Sequence, residues 1–335
     1  MAIKSFAECS CSNQKRQPDL LLVLTVCTTR QLAQALTLGD AVTQLNPDAR
    51  YRIGLADDAQ SLKALSSPYP IVPVAELVDA ATLLNLSERY TTTEFVAATK
   101  PCLIRAMMAQ EPECQQVVYL DPNSFPYQPF AEVLSELESA QILLTPHLTA
   151  PPADSFFPDE KYLQNIGLFS ADFLALRRSA ETERMLIWWR DRVQTRAQID
   201  FCESLCLDQI WLMHLPALFD KVRVVKNRDW HRALWNWHER PMNKTEPPVW
   251  VNFKGLNNQD EGLFVHQTRM NLSQRLDLQR LLTDYRLSVD ARQQPVFKQV
   301  PAFGQRPEPA IVRGWRRETG LALRSVTRFV DTVSV

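Results

Sequence analysis

The chain has 335 residues, enough for one large α/β domain or for a domain with an appendage. Hydrophobic residues make up 45% of it, charged residues 22%, and the formal net charge is −1, which favours a globular protein and argues against a nucleic-acid polymer as partner. Only 8 glycines occur and none forms a glycine-rich phosphate loop, which disfavours classical dinucleotide and P-loop chemistry.

Cysteine usage and the distribution of apolar runs bear on the compartment. The 7 cysteines are scattered and include no Cys-x-x-Cys pair, which favours reduced thiols. The first residues lack an apolar run long enough for a signal peptide. No stretch approaches the ~20 apolar residues of a transmembrane helix. These features predict a cytoplasmic protein.

From the N-terminus, the pattern predicts a flexible tail over residues 1–18 and then alternating strands and helices. The predicted strands cover residues 20–26, 51–55, 71–74, 117–120, 141–145, 173–176, 222–225 and 249–253. The predicted helices cover residues 31–45, 94–109, 183–193 and 208–214. Pro101 should kink or divide the second helix. The alternation predicts an α/β domain over residues 19–270, with a mainly parallel, Rossmann-like sheet flanked by helices.

The composition changes after about residue 270, and residues 271–335 are predicted to form a helical appendage. Residues 295–309 are rich in proline and should be extended. A last helix, within residues 313–335, carries five arginines and an apolar face. It could dock on the parent domain or on another subunit, or it could make peripheral contact with an anionic membrane at the inner face.

The strand over residues 117–120 delivers an acid to its end. Val117-Val118-Tyr119-Leu120 reads as a buried strand, and Asp121-Pro122 terminates it. In an open α/β sheet, ligands bind at the carboxyl ends of the strands, so Asp121 stands at a candidate site.

Several segments in order, spread over residues 20–270, resemble bacterial glycosyltransferases of the GT-A fold. They are Leu24-Thr25-Val26-Cys27-Thr28-Thr29, Ile53-Gly54-Leu55-Ala56-Asp57, Ala98-Thr99-Lys100-Pro101, Tyr119-Leu120-Asp121-Pro122, Leu144-Thr145-Pro146-His147, Phe173-Leu174-Ala175-Leu176, Leu207-Asp208-Gln209, Trp235-Asn236-Trp237-His238-Glu239-Arg240 and residues 264–269. The resemblance implies transfer of a sugar from a UDP- or GDP-type nucleotide sugar to a sugar, lipid-linked or protein acceptor.

The resemblance also implies roles for individual residues. The donor-binding candidates are Thr25, Cys27, Thr28 and Asp57 beside the nucleotide, and Lys100, Asp121, Asn123 and Lys254 beside the diphosphate. The candidates facing the reacting sugar and the acceptor are Asp208, Gln209, Asn236, His238 and Glu239. Structural roles compete with these: Asp208 could cap a helix, and His238 and Glu239 could belong to a packed turn.

The chain departs from the family where a divalent cation, Mn²⁺ or Mg²⁺, would bind. The expected metal ligands are Asp121, Asn123 and Asn252, and at the last two positions the family has Asp and His. An amide oxygen lacks the charge that makes a carboxylate a strong ligand, so the site should be weakened or lost. Two hypotheses follow. Lys254 could replace the metal, or the protein could be an inactive partner-binding or regulatory subunit.

Overall fold

The computed structural model describes residues 20–58, 67–240, 247–256, 263 and 267–307, together with positions 319, 322, 323 and 326. One compact unit runs through Gln305, and a second begins at Arg306. The predicted tail over residues 1–18 and most of the predicted last helix lie outside the described residues.

A seven-stranded sheet forms the centre of the first unit, and a three-stranded sheet stands at the ends of its strands. The strands are β1 Leu20–Cys27, β2 Arg50–Leu55, β3 Ile71–Pro73, β4 Cys114–Leu120, β5 Ser124–Pro126, β6 Ile142–Leu144, β7 Phe173–Arg177, β8 Val222–Val224, β9 Arg232–Ala233 and β10 Trp250–Asn252. The large sheet has the order β3-β2-β1-β4-β7-β6-β8, and the small one β5-β10-β9. In the large sheet, β7 runs antiparallel to both neighbours and the other pairings are parallel. The predicted α/β class with a mainly parallel sheet is confirmed.

Eight α-helices in the described residues flank or follow this sheet. They are α1 Leu32–Leu45, α2 Ala80–Arg89, α3 Thr92–Gln110, α4 Ala131–Ser139, α5 Glu160–Ile166, α6 Ala180–Arg196, α7 Leu215–Leu218 and α8 Leu276–Asp290. α3 is continuous across Pro101, so the proline does not divide it. Residues 210–214 form a 3-10 turn before α7. None of the described helices combines the length and the apolar character that a membrane crossing requires.

Burial explains the strand pattern. β1 lies between β2 and β4, and its residues from Leu22 to Leu24 have no exposed surface. A strand covered on both faces needs apolar side chains in succession, which is why this segment reads as a continuous apolar run. α1 and α3 contact both β1 and β2, and α6 packs on α3. The core therefore centres on the β1–β4 pair.

The small sheet brings a distant part of the chain back to the end of β4. β5 begins only four residues after β4 ends, and β10 pairs with it so that Asn252 lies opposite Ser124. The N–H of Phe253 donates to the carbonyl of Asn123 at 2.9 Å. Lys254, directly after Phe253, is thereby held beside Asp121.

The first unit continues past the predicted change at residue 270. Tyr285 in α8 is buried and stacks on Phe253, with ring centroids 4.3 Å apart. Phe297 is 2% exposed, in a short 3-10 turn over Pro295–Lys298 where the sequence predicts extended chain. Phe303 stacks on Phe95 of α3. These aromatic contacts hold residues 271–305 in the same unit as the sheet.

We expect Leu24→Ala to lower the free energy of unfolding by about 2–5 kcal/mol, because Leu24 is fully buried in β1 and its loss leaves a cavity in the core. Leu84→Ala is the matched control, since Leu84 is 60% exposed on α2, and should change stability by no more than about 0.5 kcal/mol. Urea denaturation of both variants measures the difference. Equal effects would contradict the placement of β1 at the centre.

Candidate functional site

A lysine lies between two aspartates where the two sheets meet. The Nζ of Lys254 donates to Asp121 Oδ2 at 3.3 Å and to Asp172 Oδ1 at 3.0 Å. Asp121 follows β4 and Asp172 precedes β7. Because β4 and β7 are antiparallel with Leu120 opposite Phe173, the end of one strand meets the start of the other. The N–H of Asp121 donates to the carbonyl of Asp172 at 2.8 Å, which fixes the spacing of the two carboxylates.

Two asparagine side chains complete this cluster. Asn123 Nδ2 and the Asn123 N–H both donate to Asp121 Oδ1, at 3.0 and 2.9 Å. Asn252 Nδ2 donates to Asp172 Oδ2 at 2.9 Å, and Asn252 Oδ1 accepts from the Lys254 N–H at 2.9 Å. Each carboxylate therefore receives one amide side chain and the shared ammonium.

The mutual contacts set the ionisation of the three charged groups. Burial disfavours the charge on Lys254, but Asp121 and Asp172 outweigh it and raise the pKa of the ammonium. Burial alone would raise the pKa of Asp172, yet Lys254 and Lys100 bring it below its ordinary value. At Asp121, burial prevails over the attraction of Lys254, and the pKa of this carboxyl is raised. The ammonium is thus held charged between a firmly ionised acid and one that is more easily protonated.

The arrangement does not fit a divalent cation. The amide groups of Asn123 and Asn252 face the carboxylates as N–H donors, so they do not present oxygens to a metal. Lys254 occupies the space between the two acids. Within the part of the chain that the structure describes, no group of three or more His, Cys, Asp or Glu side chains could hold a metal ion.

A second buried ion pair lies next to the first cluster. Lys100 Nζ is 2.5 Å from Asp208 Oδ2, and it donates to the carbonyl of Ala171 at 3.2 Å. Trp189 Nε1 donates to the carbonyl of Asp208 at 2.9 Å and fixes that backbone. Burial raises the pKa of Asp208, and the neighbouring ammonium only partly offsets this. Since Ala171 precedes Asp172, Lys100 also braces the chain that carries the first cluster.

The residues expected beside the nucleotide are covered. Thr25 Oγ1 donates to the carbonyl of Leu120 at 2.8 Å, Cys27 is fully buried, and Thr28 is buried at the start of a 3-10 turn. Burial, the largest effect, and the nearby Asp57 carboxylate raise the pKa of the Cys27 thiol. Both oxygens of Asp57 accept backbone N–H groups, including that of Ala302 at 2.7 Å. Thr25 and Cys27 therefore lie in the sheet, and residues near 302 cover Asp57.

The residues expected at the acceptor side have different surroundings and different hydrogen-bond partners. Gln209 bridges the Ala171 N–H and the Ile166 carbonyl, so its amide ties α5 to the chain before β7. Asn236 closes a turn by accepting from the Ala233 N–H and donating to the His231 carbonyl. Glu239 accepts the N–H groups of Thr149 and Ala150. His238 is exposed.

Asp172 is the site residue that sequence reasoning missed. It belongs to Ser170-Ala171-Asp172, directly before the strand that begins at Phe173. The available signal was an acid directly before a predicted strand. That signal points to the edge of the sheet occupied by Asp121 only if the strand is reversed relative to β4, and the hydrophobic pattern does not reveal strand direction.

Comparisons with known proteins find distant relatives. No family model matches the chain. The uncharacterized protein YfnF of Bacillus subtilis (strain 168) is 23% identical over 218 residues, which are 64% of this chain and 71% of YfnF. The uncharacterized protein YfnD of the same strain is 23% identical over 172 residues, which are 51% of this chain and 53% of YfnD.

Solved structures resemble the chain weakly. A galactosyltransferase, LgtC, in complex with donor and acceptor sugar analogues is 13% identical, with a TM-score of 0.46 and coverage of 84% of this chain and 98% of LgtC. The glycosyltransferase GlyE of Streptococcus pneumoniae TIGR4 is 10% identical, with a TM-score of 0.47 and coverage of 83% and 66%. Similarity at this level assigns neither an activity nor a ligand to the chain.

We expect Lys100→Met to lower the free energy of unfolding by about 3–5 kcal/mol, because it leaves the Asp208 carboxylate buried without its cation. The double variant with Asp208→Leu should recover most of this loss. Arg105→Met is the control, since Arg105 and Glu183 form a pair whose side chains are 42% and 45% exposed, and it should cost at most about 1 kcal/mol. Urea denaturation of the two single variants and the double variant gives a double-mutant cycle. If the stability losses of the single variants add up in the double variant, the buried ion pair is contradicted.

The lowered pKa of Asp172 predicts a pH dependence of stability. An acid whose pKa falls on folding stabilises the protein at pH values above the ordinary pKa of that acid. This stabilisation is lost as the pH falls through the folded-state pKa. The unfolding free energy of the wild type should therefore drop more steeply between about pH 5 and pH 3 than that of Asp172→Asn. Asp191→Asn, at an exposed position on α6, should follow the wild type. Parallel curves for all three proteins would refute the ion pair with Lys254.

Proposed function

We propose that this protein is a glycosyltransferase that moves a sugar from a UDP- or GDP-type nucleotide sugar to a sugar, lipid-linked or protein acceptor in the cytoplasm, and that Lys254 takes the place of a divalent cation. The observation that carries the proposal is the position of the Lys254 ammonium between Asp121 and Asp172. Asp121 is the acid at which the resembled family holds its metal. A fixed positive charge therefore stands where the reaction needs one.

The ammonium has a donor available for a ligand. Within the described residues, Asp121 and Asp172 accept two of its three N–H groups. The Lys254 side chain is 28% exposed, whereas those of the two acids are at most 10% exposed. A phosphate oxygen entering from solvent would thus meet the remaining N–H before either carboxylate. Such a charge-assisted hydrogen bond is among the stronger polar contacts.

With both acids ionised, the cluster carries a net negative charge. It therefore favours an anionic ligand only if one of the two acids takes up a proton. Lys254 carries one positive charge against two carboxylates, and Lys100 and Asp208 cancel each other. Because the pKa of Asp121 is raised, a proton is most readily accommodated there when a diphosphate arrives. Asp172 therefore holds the ammonium, while Asp121 takes up or releases a proton as the ligand binds or leaves.

The chemical role follows from where charge develops. When the bond between the sugar and the diphosphate breaks, negative charge grows on the leaving oxygen. A preorganised ammonium stabilises that charge without solvent reorganisation. Asn123 and Asn252 keep the two acids in place for this role. Lys100 and Asp208 support the chain from Ala171 onward, while the exposed His238 would meet the acceptor.

We expect sugar transfer, or hydrolysis of the donor in the absence of acceptor, to persist in EDTA and to fall about 10²–10³-fold in Lys254→Ala. Lys226→Ala, an exposed lysine after β8, is the control and should retain full rate. Release of UDP or GDP from a panel of nucleotide sugars measures turnover. Activity that EDTA abolishes and Mn²⁺ restores in the wild type would overturn the role of Lys254.

A reconstructed metal site gives a second measurement. The triple variant Asn123→Asp, Asn252→His and Lys254→Ser supplies a carboxylate and an imidazole and removes the competing ammonium. We expect this variant to need Mn²⁺. If no nucleotide sugar is turned over by the wild type or by either variant, the glycosyltransferase proposal fails and the inactive-subunit hypothesis replaces it.

A further inference from the structure

Residues 299–305, called the strap here, lie over the place where the resemblance puts the nucleoside of the donor. The N–H of Ala302 donates to Asp57 Oδ1 at 2.7 Å, and the N–H of Asp58 donates to the same oxygen at 2.8 Å. Asp57 Oδ2 accepts from the N–H of Thr29 at 3.1 Å. Arg30 Nε donates to the carbonyl of Gln299 at 3.2 Å. Asp57 is left 2% exposed, and a base or a ribose cannot reach it while the strap is seated.

The far end of the strap contacts α2 and α3, and the hydroxyl of Thr92 donates to the carbonyl of Gly304 at 3.3 Å. Phe303 stacks on Phe95 with ring centroids 5.4 Å apart. The N–H groups of Gly304 and Gln305 donate to the side chain and the carbonyl of Ser87, at 3.1 and 2.8 Å. Ala302 itself is exposed, although the Asp57 carboxylate that accepts its N–H is buried.

The polar groups beneath the strap suit an exchange of partners. The hydroxyl of Thr29 is buried and has no hydrogen-bond partner among the described residues. Asp57 accepts an N–H from Ala302, and the N–H of a nucleobase or the O–H of a ribose can donate to the same oxygen. A nucleoside that displaced the strap would satisfy both groups. The Asp57 carboxylate would accept a hydrogen bond from the strap in one state and from the nucleoside in the other. The strap and the nucleoside would therefore compete for the same acceptor.

We propose that the strap is an autoinhibitory segment, which occupies Asp57 in the free protein and has to leave before the nucleoside of a donor binds. The inference rests on the proposed function. The apparent dissociation constant of a nucleotide equals the intrinsic value divided by the fraction of molecules with the strap released. Any change that alters this fraction should therefore alter nucleotide affinity without altering the chemistry at Lys254.

Gly304→Ala should release the strap. Gly304 has a φ of 75°, and a Cβ there would lie 2.5 Å from Thr92 Cα, a backbone atom that cannot move aside cheaply. We expect UDP or GDP to bind this variant about tenfold more tightly, or more, since a hydrogen bond to a charged group has to be broken in the wild type. Val300→Ala, at a strap position that is 75% exposed, is the matched control and should bind as the wild type does.

The opposite change locks the strap. Thr91 and Gln305 are opposed in an isolated antiparallel bridge, so Thr91→Cys with Gln305→Cys places two thiols at a separation that a disulfide spans. The oxidised double variant should lose UDP and GDP binding by calorimetry, and reduction should restore it. The reduced form has the same substitutions, so it controls for the changed helix cap. The wild type, with its own exposed Cys202, is carried through the same oxidation.

The outcomes separate the strap from the proposed function. Tighter binding by Gly304→Ala together with loss in the oxidised form supports the strap. If the oxidised and reduced forms bind UDP or GDP equally well, the autoinhibitory role of the strap is overturned, while nucleotide binding by the protein is confirmed. If neither the wild type, nor Gly304→Ala, nor the reduced double variant binds either nucleotide at millimolar concentration, the donor site itself is wrong and the strap falls with it.

Discussion

The ion pairs of Lys254 with Asp121 and Asp172 tie together three parts of the chain that are far apart in sequence. Asp121 directly follows the central strand β4, Asp172 directly precedes β7, and Lys254 follows β10 of the small sheet. Two carboxylates this close and this buried would repel each other without the ammonium. The same three side chains therefore set the charge of the candidate site and add to the backbone pairing that brings the small sheet to the end of β4.

The neighbouring pair of Lys100 and Asp208 has a different character. Its side chains are 6% and 4% exposed, so a ligand has little direct access to them. The pair instead holds the neighbouring parts of the chain in position. Trp189 and Ala171 attach it to α6 and to the chain before β7. One cation thus faces solvent between two acids, while the other is enclosed and neutralised. This division lets the site keep a rigid base beneath a charge that remains accessible.

The sequence predicts the central sheet well, because strands such as β1 and β4 are covered on both faces and read as apolar runs. It does not predict α2, α4 and α5, which have only 10, 9 and 7 residues and so offer few turns over which an apolar period could show. Asp121 and Lys254 could be chosen from the sequence, but Asp172 could not, because its place depends on strand direction. The internal hydrogen bonds of Gln209 and the contact of Ala302 with Asp57 arise from tertiary packing, which no local pattern contains.

The reversed direction of β7 has a consequence for how this site can diversify. In a wholly parallel sheet, every loop that borders the ligand follows a strand. Here the loop before β7 joins the loop after β4 at one edge, because the two strands are antiparallel. The chain from α5 to β7 can therefore lengthen, shorten or change its charge while the segment between β4 and β5 stays constant. The two loops that carry Asp121 and Asp172 can thus vary independently of each other, although their carboxylates share one edge of the sheet.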